Sequence, residues 1–483
     1  MTKNYRNYSI KINAVLNVIK QLCSVVFPLI TIPYVTRILQ AENLGKVNFS
    51  TSVISYFALI AQMGIANYAV REGAKVRNEE EKIRSFSSEI FTLNLITTAL
   101  AYILLLIFMM FCKPLWNYRN LLLIQSTTII FTTIGADWIN NIFEDFFALT
   151  IRTIFMQVVS LILMFIFVHN TSDYIIYAIV VVLAQCGAYL YNAIYIRKYI
   201  HFKLAFSRKA FRHLKPCFYL FFNNIAMTVY INSDTTMLGI MVGDVAVAIY
   251  YIATKIYIVI KHIINAIIVV AVPRLSEYAE YNRTAYNQLC EQVFNSIITV
   301  LFPAVVGLFC CSSLIVKLIA GEEFIGGTAA LQILSVSLLF AVMGGYNNLC
   351  LVMPNRKDTV LLVATSIAAG TNIVLNFFLI PLWSYNGAAI TTVIAEIIVA
   401  VITYLGTSRF VKFKLSKRLV ISVLLGCGWI GVSCRIIQGT IPNDGIGLLM
   451  SVITGIIGYG LILILFKNPI IMEVFTRLSK KKS

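Results

Sequence analysis

The chain has 483 residues, of which 59% are hydrophobic and 12% charged, and a mean hydropathy of +0.83. No soluble core absorbs that much apolar surface, so the composition excludes a soluble enzyme or binding domain and defines an all-α polytopic membrane protein. The net charge of +18 raises nucleic acid as a partner, but the cations sit in alternate loops between apolar runs and exclude it.

About 14 apolar windows, each long enough to cross a bilayer, follow one another along the chain. The first six are 14–38, 47–69, 86–111, 120–139, 146–168 and 174–196. A basic loop follows, carrying Arg197, Lys198, Lys203, Arg208, Lys209, Arg212 and Lys215. The next six are 217–241, 245–272, 292–316, 329–352, 359–382 and 387–406, and the last two are 419–437 and 446–466. With the N-terminus in the cytoplasm, about 30 Lys and Arg fall on the cytoplasmic side and about 6 outside, so both termini are expected to be cytoplasmic. The basic loops read as topology signals, with anionic lipid head groups as the alternative. Span one lacks a small-residue cleavage site and is expected to be retained.

A weak repeat near 200 residues relates Gln40–Val47 and the span after it to Gly243–Tyr250 and the span after it. The expected organisation is a six-helix lobe over 1–206, a second over 207–408, and two additional helices with a basic tail over 409–483. Connections are too short to fold alone, which leaves no room for an extramembrane catalytic domain. Ten cysteines lie mostly within apolar runs, without metal or disulfide spacing. Neither a G-x-x-x-x-G-K-[ST] nor an H-E-x-x-H motif occurs, and no metal or cofactor is expected. Gly447, Ser451 and Gly455 form a small-residue stripe that packs either against the same chain or against a second copy.

Charges inside the spans are the functional signal, because an ionisable group at that depth faces a wet cavity or a partner. Span one carries Asn13, Asn17, Lys20, Gln21 and Ser24, then Pro28 and Pro33, which predicts a polar face and a kink. Span seven carries Asn224, Thr228, Asn232 and Thr235 as a second polar stripe, with Asp234 beside it. In span eight Tyr251, Lys255 and His262 share a face, with Lys261 and Asn265 on a neighbouring one. The lysines suit a phosphate, or either could pair with Asp234. Glu396 has no cation in its own span, so an unpaired carboxylate able to exchange H⁺ or Na⁺ is expected, with a packed protonated glutamate as the alternative. Asp234 is the second coupling candidate.

Several stretches together resemble one family. Lys215-Pro216 through Asn232-Ser233-Asp234-Thr235-Thr236-Met237-Leu238-Gly239 is similar to the start of the second half in Wzx-type polysaccharide flippases. So are Pro273-Arg274-Leu275-Ser276, Gly135-Ala136-Asp137-Trp138 with Phe143-Glu144, and Phe27-Pro28-Leu29 with Pro33-Tyr34. Asn376 to Pro381, leading to Asn386-Gly387-Ala388-Ala389-Ile390-Thr391, completes the set. Ile139-Asn140-Asn141-Ile142 departs from the family pattern and leaves the role of Asp137, a third coupling candidate, open.

The resemblance implies a MATE/MOP-like fold, a bacterial inner membrane and a non-enzymatic transporter. Its substrate would be an undecaprenyl-diphosphate-linked oligosaccharide of O-antigen (lipopolysaccharide) or capsule type. That lipid would move from the cytoplasmic to the periplasmic leaflet by alternating access, driven by H⁺ or Na⁺. Membrane lipids, a polysaccharide polymerase and a chain-length regulator are the further partners expected. On that reading Lys20, Arg37, Asn224, Lys255, Lys261 and His262 are the candidate substrate-binding residues. An exporter of small organic cations and a non-transporting scaffold are the alternatives, and the central lysines argue against the first of these.

Overall fold

The computed structural model describes residues 10–205, 211–410 and 416–473, without the side chains of 10–22, 24–26 and Asn223. Among the described residues the regular structure is helical throughout: α1 (Ile10–Gln62), α2 (Ile65–Val76), α3 (Glu80–Phe111), α4 (Arg119–Gly135), α5 (Trp138–Ile142), α6 (Phe146–Phe167) and α7 (Tyr174–Tyr195). The remainder are α8 (Leu214–Met241), α9 (Asp244–Tyr281), α10 (Arg283–Ala320), α11 (Gly327–Tyr346), α12 (Asp358–Thr407), α13 (Lys417–Thr440) and α14 (Asp444–Leu465). A 22-residue helix such as α6 or α14 runs about 33 Å, enough to cross the hydrocarbon core. Eleven described segments have the length and apolarity of a membrane span.

Two of those segments are double. α1 breaks at Gln40 (φ 62°, ψ 177°) and α12 at Ser384 (φ 50°, ψ −132°), so each consists of two helical arms. The breaks fall between windows that the sequence separates, 14–38 from 47–69 and 359–382 from 387–406. Pro28 and Pro33 lie within the first arm of α1, and the non-helical residue is Gln40 rather than either proline.

By contact density the chain divides into two compact units, Met1–Val247 and Ala248–Ser483. In the first, Ile65, Ile90, Leu93, Trp138, Ile139, Ile142 and Ile196 form a core that draws together α2, α3, α5 and the end of α7. α8 packs on the second arm of α1, where Thr236 Oγ1 lies 2.9 Å from Ser52 Oγ and Gly239 leaves room for the Phe49 ring. Gly45 is needed for a close approach: a Cβ there would lie 1.9 Å from the Asp244 carbonyl oxygen.

In the second unit the small-residue stripe of α14 is buried against the same chain. Gly458 receives the Trp429 ring, and Gly426 on α13 receives Tyr459, whose hydroxyl donates to the Thr299 carbonyl at 2.6 Å. Small residues facing large ones bring helices close where lipid supplies no hydrophobic drive. Outward-facing Leu, Ile and Phe of α3, α6, α13 and α14 are exposed, as lipid-facing surfaces must be.

Candidate functional site

Each charge at mid-bilayer costs about 2.5–3.5 kcal/mol, so the charges inside the helices mark the places where chemistry overrides solvation. In the second unit, α9 and the second arm of α12 bring one such pair together. Lys261 Nζ lies 2.8 Å from Glu396 Oε1, and the Tyr257 hydroxyl donates to the same oxygen at 3.2 Å. Glu396 is only 6% exposed, so its charge depends on this lysine and this phenol.

This corrects two expectations. Glu396 is not an unpaired carboxylate, and Lys261 takes Glu396 rather than Asp234 as its ion-pair partner. The pair joins residues 135 positions apart, so packing between helices decides it and periodicity within one helix cannot.

Lys255 stands about one and two-thirds turns earlier on α9. Its ammonium lies 5.1 Å from the centroid of the Tyr251 ring, as that of Lys261 lies 5.6 Å from Tyr257. Each lysine follows its tyrosine by four residues, a spacing that puts cation and ring on one helix face. One turn beyond Lys261, Asn265 sits against Gly345, with its Oδ1 buried and unpartnered among the described residues. Around Lys261 the site therefore holds one cation, one carboxylate, one phenol and an open acceptor, with Lys255 and Tyr251 on a neighbouring face of α9. His262, the next residue, is exposed.

The remaining candidates lie in the first unit. Arg37 is exposed, and its guanidinium donates to the Pro33 carbonyl. Asn224 is half-buried and Asp234 buried on α8. The Lys20 side chain lies outside the described residues, as do Asn13, Asn17, Gln21 and Ser24.

Asp137 acquires a definite setting. The chain turns at Ala136 (φ 44°) between α4 and α5, and the Asp137 carboxylate pairs with Arg152 of α6. Asn192 Nδ2 of α7 lies 3.0 Å from Asp137 Oδ1 and 2.8 Å from Asn140 Oδ1. The Arg152 side chain is 6% exposed, and its Nε and Nη1 have no partner among the described residues. The sequence reading missed Arg152 although the signal was there: an arginine interrupts the apolar window 146–168. It also missed Tyr257, which as a tyrosine in a span gives no such signal.

Asp145, in the turn before α6, accepts from the hydroxyls of Tyr195 and Tyr199, each at 2.7 Å, and from Lys198 at 3.2 Å. Burial works to raise its carboxyl, but the two phenols and the lysine prevail and hold it below the usual aspartate value. The folded form thus takes up a proton less readily than the unfolded chain. Its stabilisation is complete above the ordinary value of 3.8 and fades as pH falls through the lower folded value. Asp145→Asn should therefore melt with a smaller loss between about pH 5 and pH 3 than the parent. Parallel melting curves for the two proteins would contradict this.

Broken helices with charged pairs inside the spans define a multi-pass membrane protein of transporter architecture. Residues 10–279 match the family described as "Polysaccharide biosynthesis protein". The chain belongs to that family. It is 25% identical over 429 residues to an Escherichia coli (strain K12) protein named "Putative O-antigen transporter", covering 86% of this chain and all of that one. It is 22% identical over 438 residues to the "Uncharacterized membrane protein MJ1068" of Methanocaldococcus jannaschii, covering 82% of this chain and 84% of that one. In fold it is similar to the lipid II flippase MurJ in an inward closed conformation (TM-score 0.78, 16% identity, 95% of this chain and 100% of that one). An inward-facing MATE transporter of the MOP superfamily also matches (TM-score 0.56, 14% identity, 85% and 96%).

Proposed function

We propose that the protein is a flippase for undecaprenyl-diphosphate-linked oligosaccharides, moving them from the cytoplasmic to the periplasmic leaflet of a bacterial inner membrane. The observation that carries this reading is the Lys261–Glu396 pair with Lys255 nearby, inside the spans of a chain belonging to a polysaccharide-biosynthesis family. The likeness to a protein named as an O-antigen transporter supports the substrate class.

A diphosphate offers Lys261 a stronger partner than one carboxylate, since its charge is larger and its oxygens more numerous. When Lys261 turns to the diphosphate, Glu396 loses its counter-charge and takes up a proton or a Na⁺. Release of substrate restores the pair and returns the cation. Lys255 adds a second positive charge along α9. Lys20 and Arg37 are further candidates for attracting the anionic head, Asn224 and His262 for contacting it, and Asp234 for ion coupling. Asp137 is left out of the coupling role because Arg152 already neutralises it.

The test is made in cells lacking the protein with upstream glycan synthesis intact and no redundant flippase. One complete undecaprenyl-linked repeat unit should accumulate on the cytoplasmic side and disappear when the gene is restored. Normal surface glycan without accumulation would overturn the reading.

A further inference from the structure

The first unit contains a half-open cavity of about 280 Å³ lined by the second arm of α1, α4 and α7, apart from every residue of the proposed mechanism. Its polar lining is uncharged. Thr51, Ser55, Thr128 and Thr132 face it, and each gives its one hydroxyl proton to a helix carbonyl: Val47 at 2.8 Å, Ser52 at 2.6 Å, Gln125 at 2.7 Å and Ile129 at 2.9 Å. Their lone pairs are what remain for the cavity.

Gln125 repeats the pattern more strictly. It is 3% exposed, its Nε2 donates to the Val47 carbonyl at 3.0 Å, and its Oε1 is buried with no partner among the described residues. That oxygen is closed off from the cavity as well, so Gln125 shapes the wall and the threonine and serine hydroxyls make its polar surface. Gln185, exposed in the same wall, adds amide donors as well as an acceptor, so the cavity is polar and neutral, with no carboxylate and no cation in its lining. An ion of either sign would enter it without a counter-charge, whereas a neutral molecule rich in hydroxyls would meet hydroxyl and amide groups on its walls.

We propose that this cavity is a subsite for one neutral sugar ring of the lipid-linked oligosaccharide. The inference rests on the flippase reading above. The volume lies just below the roughly 300–1,000 Å³ of sites for whole small ligands, which suits one ring of a larger substrate. Ring hydroxyls and an acetamido N–H donate to the threonine and serine oxygens, the Gln185 amide can donate to ring oxygens, and the Tyr189 side chain in the wall offers its ring to the apolar sugar face.

The test measures binding to the purified full-length protein of two probes. One is undecaprenyl diphosphate bearing a single N-acetylhexosamine, and the other is undecaprenyl diphosphate without sugar. The variant pair Thr128→Val with Thr132→Val keeps shape and removes two acceptors, and it should weaken the sugar-bearing probe about tenfold. It should leave the sugar-free probe unchanged. Unchanged binding of both probes by the threonine pair would overturn the subsite and leave a cavity that holds water only. Equal weakening of both probes would also overturn it, by assigning the threonines to the fold. Failure of the parent protein to bind either probe would overturn the flippase reading, and the subsite with it.

Discussion

The double variant Lys261→Gln with Glu396→Gln is expected to be folded and inserted but unable to translocate. Glu396→Gln strands the lysine without its counter-charge, at a cost of up to about 3–5 kcal/mol, and Lys261→Gln leaves a carboxylate that must take up a proton, at a smaller cost. Removing both charges together eliminates that penalty, so the double variant should recover most of the stability that the single variants lose. Transport should not recover, because the proposed cycle needs a lysine that can leave its carboxylate for a diphosphate. The expected signature is a melting temperature close to the parent's with translocation at background level. Near-parental translocation in the double variant would reduce the pair to a structural strut and remove the coupling step.

The second large effect is an asymmetry at the Asp137–Arg152 pair. Asp137→Asn should destabilise the protein more than Arg152→Met. After Arg152→Met the stranded carboxylate can take a proton and become neutral. After Asp137→Asn the guanidinium stays charged at any accessible pH, with its Nε and Nη1 already unpartnered. Losses of about 3–5 kcal/mol for Asp137→Asn and clearly less for Arg152→Met are expected in thermal unfolding of the detergent-purified protein. The double substitution should lie nearer the parent than Asp137→Asn does. The opposite order would mean that Arg152 is stabilised by contacts other than Asp137.

Much of the fold was legible because its cause is local. Apolar length sets the helices, and the break between the windows ending at 38 and starting at 47 appears in the structure at Gln40. The charged positions Lys255, Lys261, Glu396 and Asp234 were legible too, since a charge in an apolar run stands out, and Asp137 was marked only through the family resemblance. Their pairing was not. Periodicity fixes which face of α9 carries Lys261, but Glu396 reaches it only through packing of a helix far along the chain. Arg152 was overlooked although it interrupts its window in the same way as the lysines. The polar cavity left no trace in the sequence, because Thr51, Gln125 and Thr132 are ordinary span residues until three helices bring them to one wall.

The most direct measurement reconstitutes the protein into vesicles carrying undecaprenyl diphosphate linked to an oxidisable oligosaccharide. The exposed fraction is read with a membrane-impermeant periodate reagent. The account predicts that parent protein makes nearly all of the lipid-linked sugar accessible, while the Lys261→Gln/Glu396→Gln protein leaves the inner-leaflet fraction protected. Protection that persists with correctly folded parent protein under an imposed H⁺ or Na⁺ gradient would contradict the account.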